Sequence, residues 1–262
     1  MQNSNRSEKS RGILIFAIDT VDTSYSTIAN RTAKLASQTL GLPYTIITED
    51  HMAYMNWHNY RHDVDLGRPV EWKNFGRNLA YELSPYKETL VIDADYVVLD
   101  PNLLRIFDTA WDYLLQRTAR SLNDEYVPNV MGVYSLPYVW ATAFAFRKTP
   151  KSQLFFDLVQ RIEANYHYYK ELFNVESRSY RNDYAFAMAD IIINGFSVSN
   201  NSIPGPMLNI LQPIESMAVQ NNQVVIKDRQ TAYIVPRMNM HVMSKAYLQS
   251  NNFKQFIDHV TT

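Results

Sequence analysis

The chain has 262 residues, 46% of them hydrophobic, and its 25 Lys and Arg nearly balance its 26 Asp and Glu. This length can bury a sizeable core, and the near-neutral charge gives no bulk electrostatic reason to expect a nucleic acid or an anionic membrane as partner. No cysteine is present, which excludes disulfides, thiolate metal sites and cysteine nucleophiles. The 7 glycines form no glycine-rich phosphate loop, so bound phosphate would need side chains, a metal or a helix N-terminus.

The N-terminal segment is polar, and we predict that residues 1–11 are flexible. The apolar run at 13–18 is too short for a secretory signal or a membrane span. We therefore expect a cytoplasmic protein with no membrane partner.

Strands and helices alternate in the first half. The run at 13–18 predicts a strand buried on both faces. Apolar residues at helical spacing from Ile28 to Leu40 predict a helix that ends at Gly41. A second strand is predicted at 44–48, and this strand–helix–strand order is typical of a parallel α/β sheet with a right-handed crossover.

A carboxylate pair follows the third predicted strand. Residues 49–70 are polar and predict a surface loop, and a helix is predicted over 71–83. The apolar strand at 89–92 then ends directly in Asp93 and Asp95. Ligands of open α/β sheets bind at the carboxyl ends of strands, and carboxylate oxygens suit Mg²⁺ or Mn²⁺ shared with phosphates.

A second Asp-x-Asp provides a comparison. Asp63 and Asp65 follow a polar run instead of an apolar strand, so we interpret them as loop carboxylates. His58 and His62 have the i, i+4 spacing that binds zinc on a helix, but no glutamate motif accompanies them, which favours an ordinary surface pair.

The second half is less regular. It predicts strands and helices in this order: strands at 130–133 and 141–147, helices at 153–172 and 183–193, short strands at 196–198, 224–226 and 232–235, and a last helix at 245–257. The prediction for the whole chain is an α/β fold in a single domain. It consists of a Rossmann-like mixed sheet flanked by helices, with an irregular C-terminal region.

The segment 86–107 resembles the core of the GT-A glycosyltransferases, closest to the glycogenin-like, retaining group. It has an apolar strand, Asp93-Ala94-Asp95, a short apolar segment, a turn and a Leu-Phe pair. Upstream, Ala17-Ile18-Asp19-Thr20 with Tyr25 opening the first helix resembles the uridine pocket of the same group. The resemblance divides the domain 12–262 into a nucleotide-binding half, 12–110, and an acceptor-side half, 111–262.

The resemblance implies transfer of a sugar from a UDP-sugar to a hydroxyl-bearing acceptor, with Mn²⁺ or Mg²⁺ as cofactor. Asp93, Asp95 and His241 would hold the cation, and Asp95 and Asp183 are the implied catalytic carboxylates. Tyr25 would stack on the base. Lys73 and Arg77, one helical turn apart on the predicted helix, would contact the donor phosphate or sugar. The full set implied for the donor is Ala17, Ile18, Asp19, Tyr25, Lys73, Arg77, Asp93, Ala94 and Lys245.

The sequence departs from the family pattern at three places. Lys245 follows His241 more closely than in the family, and no glycine separates them. The Asn-Ser-Gly turn of the family aligns with Trp140-Ala141-Thr142-Ala143, and its Gly-Asp-Gln with Asn182-Asp183-Tyr184. These departures favour an alternative, a GT-A-like nucleotide-sugar-binding protein without turnover. Another metal-dependent nucleotide-processing α/β enzyme is a further alternative, although the acidic loop after the first strand argues against it.

The alternative for several of these residues is a purely structural role. In that case His241 would be a hydrogen-bonded structural histidine, and Lys73 and Arg77 would form a solvated basic face. An aromatic group would either stack on an acceptor sugar or belong to the core and rim of a long helix; its members are Tyr166, Tyr168, Tyr169, Phe173, Tyr180 and Tyr184.

Overall fold

The computed structural model describes residues 9–49, 62–63, 68–69, 76–127, 130–133, 136–176 and 180–261. The strands are β1 (Lys9–Phe16), β2 (Tyr44–Ile47), β3 (His62–Asp63), β4 (Arg68–Pro69), β5 (Tyr86–Asp93), β6 (Tyr96–Val97), β7 (Tyr113–Gln116), β8 (Ala119–Arg120), β9 (Val130–Met131), β10 (Leu136–Pro137), β11 (Trp140–Arg147), β12 (Met207–Ile210), β13 (Ser216–Gln220), β14 (Gln223–Lys227), β15 (Ala232–Pro236) and β16 (Met240–Val242). The α-helices are α1 (Tyr25–Leu40), α2 (Ala80–Leu83), α3 (Pro150–Ala164), α4 (Tyr166–Leu172), α5 (Asn182–Ile193), α6 (Lys245–Gln249) and α7 (Asn251–Val260). Short 3₁₀ segments span Arg77–Leu79 and Pro101–Phe107.

The main sheet has the strand order β2-β1-β5-β11-β7. β1 is parallel to β2 and to β5, whereas β11 runs antiparallel to β5 and to β7. Helix α1 connects β1 to β2 and ends at Gly41, whose φ of 64° is left-handed. The mixed α/β sheet flanked by helices that the sequence predicts is therefore confirmed.

Different helices cover the two faces of the main sheet, because successive residues of a strand point to opposite sides. Leu14 belongs to the same core cluster as Phe156 of α3 and Phe186 of α5. Ile15 belongs to a second cluster, which includes Ala33 of α1. Apolar residues on both sides explain the continuous apolar run in β1.

Two smaller sheets organise the C-terminal part. One has the order β6-β16-β12-β8 and is joined to the main sheet by the short turn between β5 and β6. The other is the antiparallel sheet β13-β14-β15, which confirms the strands predicted at 224–226 and 232–235. Its Ile226 shares a core cluster with Phe253 of α7.

Two predictions near the N-terminal half are corrected. β1 begins at Lys9, so residues 9–11, predicted to be flexible, lie in the sheet. This polar start is compatible with a strand because Arg11 Nε donates to Glu88 Oε2 of β5 at 2.5 Å. Of the helix predicted over 71–83, the described residues show an α-helix only at Ala80–Leu83, because Gly76 is left-handed at φ 93° and a 3₁₀ turn precedes α2.

Three predictions in the second half are also corrected. The helix predicted at 153–172 is two helices, because Asn165 leaves helical geometry and its Nδ2 donates to the Arg161 carbonyl at 2.9 Å. The helix predicted at 245–257 breaks at Ser250, whose side chain caps α7. The strand predicted at 196–198 is a turn, with Phe196 at φ 60°.

Within the described part of the chain, every helix is too short or too polar to cross a bilayer.

Candidate active site

The Asp-x-Asp segment is the turn that links the main sheet to the small sheet. β5 ends at Asp93, and β6 begins at Tyr96. The carbonyl of Ala94 accepts a hydrogen bond from Thr32 Oγ1 of α1 at 2.8 Å, which ties the turn to the helix. Asp93 and Asp95 therefore both lie at the carboxyl end of β5, where the sequence predicts them.

His241 reaches this turn through strand pairing. β16 runs antiparallel to β6 with His241 opposite Tyr96, and the Val242 N–H donates to the Asp95 carbonyl at 3.0 Å. His241 Nε2 consequently lies 3.5 Å from Asp95 Oδ2. One donor atom each from Asp93, Asp95 and His241 lie within 4.8 Å of one another.

Asn209 orients the histidine, and no pattern in the sequence indicates this role. It lies on β12, in register with His241 on β16, and is buried with 4% of its surface exposed. Its Oδ1 is 3.0 Å from His241 Nδ1. With Nδ1 as the donor, the lone pair of Nε2 faces the carboxylates, the arrangement in which a partner behind a metal-ligating histidine fixes its tautomer.

Two basic side chains contact the carboxylates. Arg77 Nη2 donates to Asp93 Oδ1, and Lys245 Nζ donates to Asp95 Oδ2. Arg77 follows Gly76 at the start of a 3₁₀ segment, and its side chain is nearly buried. Lys245 is the first residue of α6. Each carboxylate thus has its own cation, contributed from a different part of the chain.

This arrangement separates the pKa values of the two carboxylates. Burial raises the pKa of Asp93 to about 6, and Asp95 adds to this rise while Arg77 opposes it. Burial also acts against ionisation of Asp95, but His241 and Lys245 together outweigh it and hold the pKa of Asp95 below its ordinary value. Burial lowers the pKa of His241, whereas the neighbouring carboxylates raise it. The result is a pKa above the ordinary value of a histidine.

Tyr25 and the predicted uridine pocket lie next to this centre. Tyr25 begins α1, and burial together with the charges of Asp95 and Asp93 raises the pKa of its hydroxyl. Ala17 is buried in the cluster against which Tyr25 packs, and Ile18 packs against the opposite cluster. Asp19 is engaged locally, since its Oδ1 accepts from the Ser26 N–H at 2.7 Å in the first turn of α1.

Asp183 is held by three partners at the start of α5. Its Oδ1 accepts from the Ala141 N–H at 2.9 Å, and its Oδ2 accepts from Arg181 Nη2 at 2.7 Å. A hydrogen bond from Tyr138 to Asp183 contributes to the raised pKa of that tyrosine, which is due first to burial. The charge of Asp183 also raises the pKa of Asp93 slightly, so the two carboxylates are within electrostatic reach.

Other predicted residues are less informative. Lys73, His58 and Asp65 lie outside the described residues. Gly76, at positive φ, directly precedes Arg77. The aromatic group divides between core and surface: Tyr166, Phe173 and Tyr180 are buried, whereas Tyr168 is 63% exposed.

The donor set fits a divalent cation. The three donor atoms lie within 4.8 Å of one another, which is close to the separation of about 4.2 Å between two ligands that face each other across an ion with bonds of about 2.1 Å. Carboxylates suit Mg²⁺ and Mn²⁺, while imidazole suits the transition metals. Asn209 supplies the supporting hydrogen bond that such a histidine ligand needs.

No protein-family model and no curated protein sequence matches the chain. Among solved structures, glycosyltransferase GlyE of Streptococcus pneumoniae TIGR4 is 11% identical with a TM-score of 0.38, over 78% of this chain and 45% of that one. This chain therefore spans less than half the length of GlyE.

Two further solved structures cover 95% of this chain at 12% identity each. A glycosyltransferase involved in glycosylation of the major capsid of PBCV-1 is covered over 98% of its length with a TM-score of 0.36. The catalytic domain of Drosophila β1,4-galactosyltransferase 7, in complex with xylobiose, is covered over 83% with a TM-score of 0.37.

Proposed function

We propose that this chain is a metal-dependent glycosyltransferase of the GT-A type that transfers a sugar from a UDP-sugar to a hydroxyl-bearing acceptor. The observation that carries the proposal is the convergence of Asp93, Asp95 and His241 at the carboxyl end of β5. Lys245 and Arg77 contact the same two carboxylates. A divalent cation beside two cationic side chains suits a nucleoside diphosphate, because together they neutralise its charge.

Different residues would bind the cation, the diphosphate and the base. Asp93, Asp95 and His241 would hold Mn²⁺, which the mixture of carboxylate and imidazole favours over Mg²⁺. When bound, the cation would stabilise the charge that develops on the diphosphate as the glycosidic bond breaks. Lys245 and Arg77 would add hydrogen bonds to the same charge. Tyr25, half-buried beside the carboxylates, would stack on the uracil ring.

The environment of Asp183 favours a second candidate function, nucleotide-sugar binding without turnover. Both of its carboxylate oxygens already accept hydrogen bonds, from the Ala141 N–H and from Arg181. A carboxylate held in this way is well positioned, but it must give up a partner before it takes a proton from an acceptor hydroxyl. Binding and turnover must therefore be measured separately.

Calorimetric titration with UDP, GDP and CDP, with and without Mn²⁺, tests the proposal. We expect UDP to bind in the presence of Mn²⁺, and Asp95→Asn to abolish this binding while thermal unfolding shows that the fold is retained. Asp157→Asn, an exposed carboxylate on α3, is the matched control and should bind like the wild type. UDP binding that is independent of both Mn²⁺ and Asp95 would refute the assignment.

A panel of UDP-sugars then separates the two candidate functions. Release of UDP from one donor, in the presence of Mn²⁺ and acceptor sugars, supports the transferase. Binding of the donors with no release of UDP supports the protein without turnover.

A further inference from the structure

One oxygen of Asp95 is contacted by two side chains of the C-terminal segment. Lys245 Nζ donates to Asp95 Oδ2, and His241 Nε2 lies 3.5 Å from the same oxygen. Lys245 Nζ also lies 3.4 Å from the Val242 carbonyl. The ammonium group thus sits at the oxygen that a cation held between Asp95 and His241 would use.

An ammonium group and a divalent cation repel each other when both contact one buried carboxylate. Asp95 has only 6% of its surface exposed, so the repulsion between two cations there is weakly screened by water. Binding of a divalent cation by Asp95 and His241 therefore requires Lys245 to leave Oδ2. The flexible four-carbon stem of a lysine allows this without a change in the backbone.

Arg77 is a less suitable candidate for the same displacement. Its side chain is 9% exposed and contacts Oδ1 of Asp93, whereas the side chain of Lys245 is 18% exposed. Lys245 also contacts the oxygen that faces His241. Of the two cations, Arg77 is thus the more enclosed, and Lys245 is the one nearer to solvent.

We propose that Lys245 is an intramolecular counterion that competes with the divalent cation for Asp95 and, once displaced, pairs with the nucleotide diphosphate. The second step rests on the proposed function, and the first does not. The cation and the nucleotide are consequently coupled, because each favours the position of Lys245 that the other needs. By linkage, the factor by which UDP tightens Mn²⁺ binding equals the factor by which Mn²⁺ tightens UDP binding.

Calorimetric titration of Mn²⁺ in the absence of nucleotide tests the competition. Lys245→Met removes the charge and keeps a similar length, and we expect it to bind Mn²⁺ about tenfold more tightly than the wild type. Lys245→Arg, which keeps the charge, should bind Mn²⁺ like the wild type. Lys254→Met is the matched control, since Lys254 is exposed on α7, and it should leave the affinity unchanged. Lys245→Gln gives the same comparison should the Met variant fail to fold.

A second titration, of Mn²⁺ with UDP present, tests the coupling. UDP should tighten Mn²⁺ binding to the wild type by about tenfold or more and to Lys245→Met by much less. A Met variant that binds Mn²⁺ alone no more tightly than the wild type overturns the inference, even where UDP binding depends on Mn²⁺. Tighter Mn²⁺ binding by the variant with no UDP binding by either protein would uphold the competition and remove the proposed function. Failure of both proteins to bind Mn²⁺ overturns both.

Discussion

Asn209 Oδ1 and His241 Nδ1 lie 3.0 Å apart, at matched positions of the neighbouring parallel strands β12 and β16. The hydrogen bond presents the other ring nitrogen, Nε2, to Asp95. Asn209 therefore acts on the site through His241, as a positioning residue.

Substitution of Asn209 should weaken metal binding through His241. We expect Asn209→Leu to lower the Mn²⁺ affinity by about 10- to 100-fold, the range found for partners behind histidine ligands. Asn209→Asp keeps an acceptor for the Nδ1 proton and should retain most of the affinity. Calorimetry on both variants provides the measurement. Equal loss of affinity in the two variants would contradict the orienting role.

Asp183 provides a prediction about turnover. Asp183→Asn keeps an oxygen that can accept from the Ala141 N–H but loses the charge. With a donor that is turned over, kcat should fall by about 10²- to 10⁴-fold, while the affinity for UDP in the presence of Mn²⁺ stays unchanged. Arg181→Gln, which removes the ion-pair partner, should change kcat little. Similar losses in both variants would show that the ion pair, and not the carboxylate, matters.

Glu163 makes the stability of the fold depend on pH. Burial raises the pKa of Glu163 to about 7, with a hydrogen bond from Asn78 opposing the rise. The folded state therefore favours the protonated acid more than the unfolded state does. The stabilisation that protonated Glu163 contributes is complete below about pH 4.5 and is lost as the pH rises through about 7.

The wild type should consequently lose on the order of 2–3 kcal/mol of unfolding free energy between pH 5 and pH 8 from this group. Glu163→Gln, which is neutral throughout, should show a smaller loss over this range. Urea denaturation at the two pH values measures the difference. Parallel pH profiles for the two proteins would rule out Glu163 as the cause.

Gly12 tests the packing of the main sheet. A Cβ atom at this position of β1 would overlap the ring of Tyr86 on β5. We expect Gly12→Ala to lower the unfolding free energy by about 1–3 kcal/mol, the usual cost of overpacking. The double variant Gly12→Ala with Tyr86→Leu should lose less unfolding free energy than the sum of the two single variants, because the smaller side chain makes room for the Cβ atom. A fully stable Gly12→Ala variant, measured by urea denaturation, would show that the ring moves aside without cost.

The sequence predicts the strands and the carboxylates of the site where a long apolar run is followed directly by polar residues. The runs in β1 and β5 predict buried strands, and a strand that ends in Asp93 and Asp95 predicts carboxylates at the edge of a sheet. These inferences use neighbouring residues only. The helix α1 was predicted for the same reason, since its apolar spacing and Gly41 lie within one segment.

The parts that were missed depend on pairings between distant segments. Asn209 lies on a strand of four residues, and its role follows from the register of β12 with β16, which no local pattern encodes. The polar start of β1 is in the sheet because Arg11 meets Glu88 of β5. Likewise, Gly76 has a positive φ and is followed by a 3₁₀ segment, although the spacing of apolar residues predicts an α-helix there.

We expect the site to form late in folding, because it depends on the pairing of β6 with β16. The main sheet contains β1, β5 and β11, and β16 is not one of its strands, so the main sheet can pair before β16 does. The last contacts of the site, from Asp95 to His241 and Lys245, close a loop that spans more than half of the chain, and contacts of such long range form slowly. Recovery of Mn²⁺ affinity during refolding would therefore lag behind recovery of sheet signal, and ion binding would report that the final strand has docked.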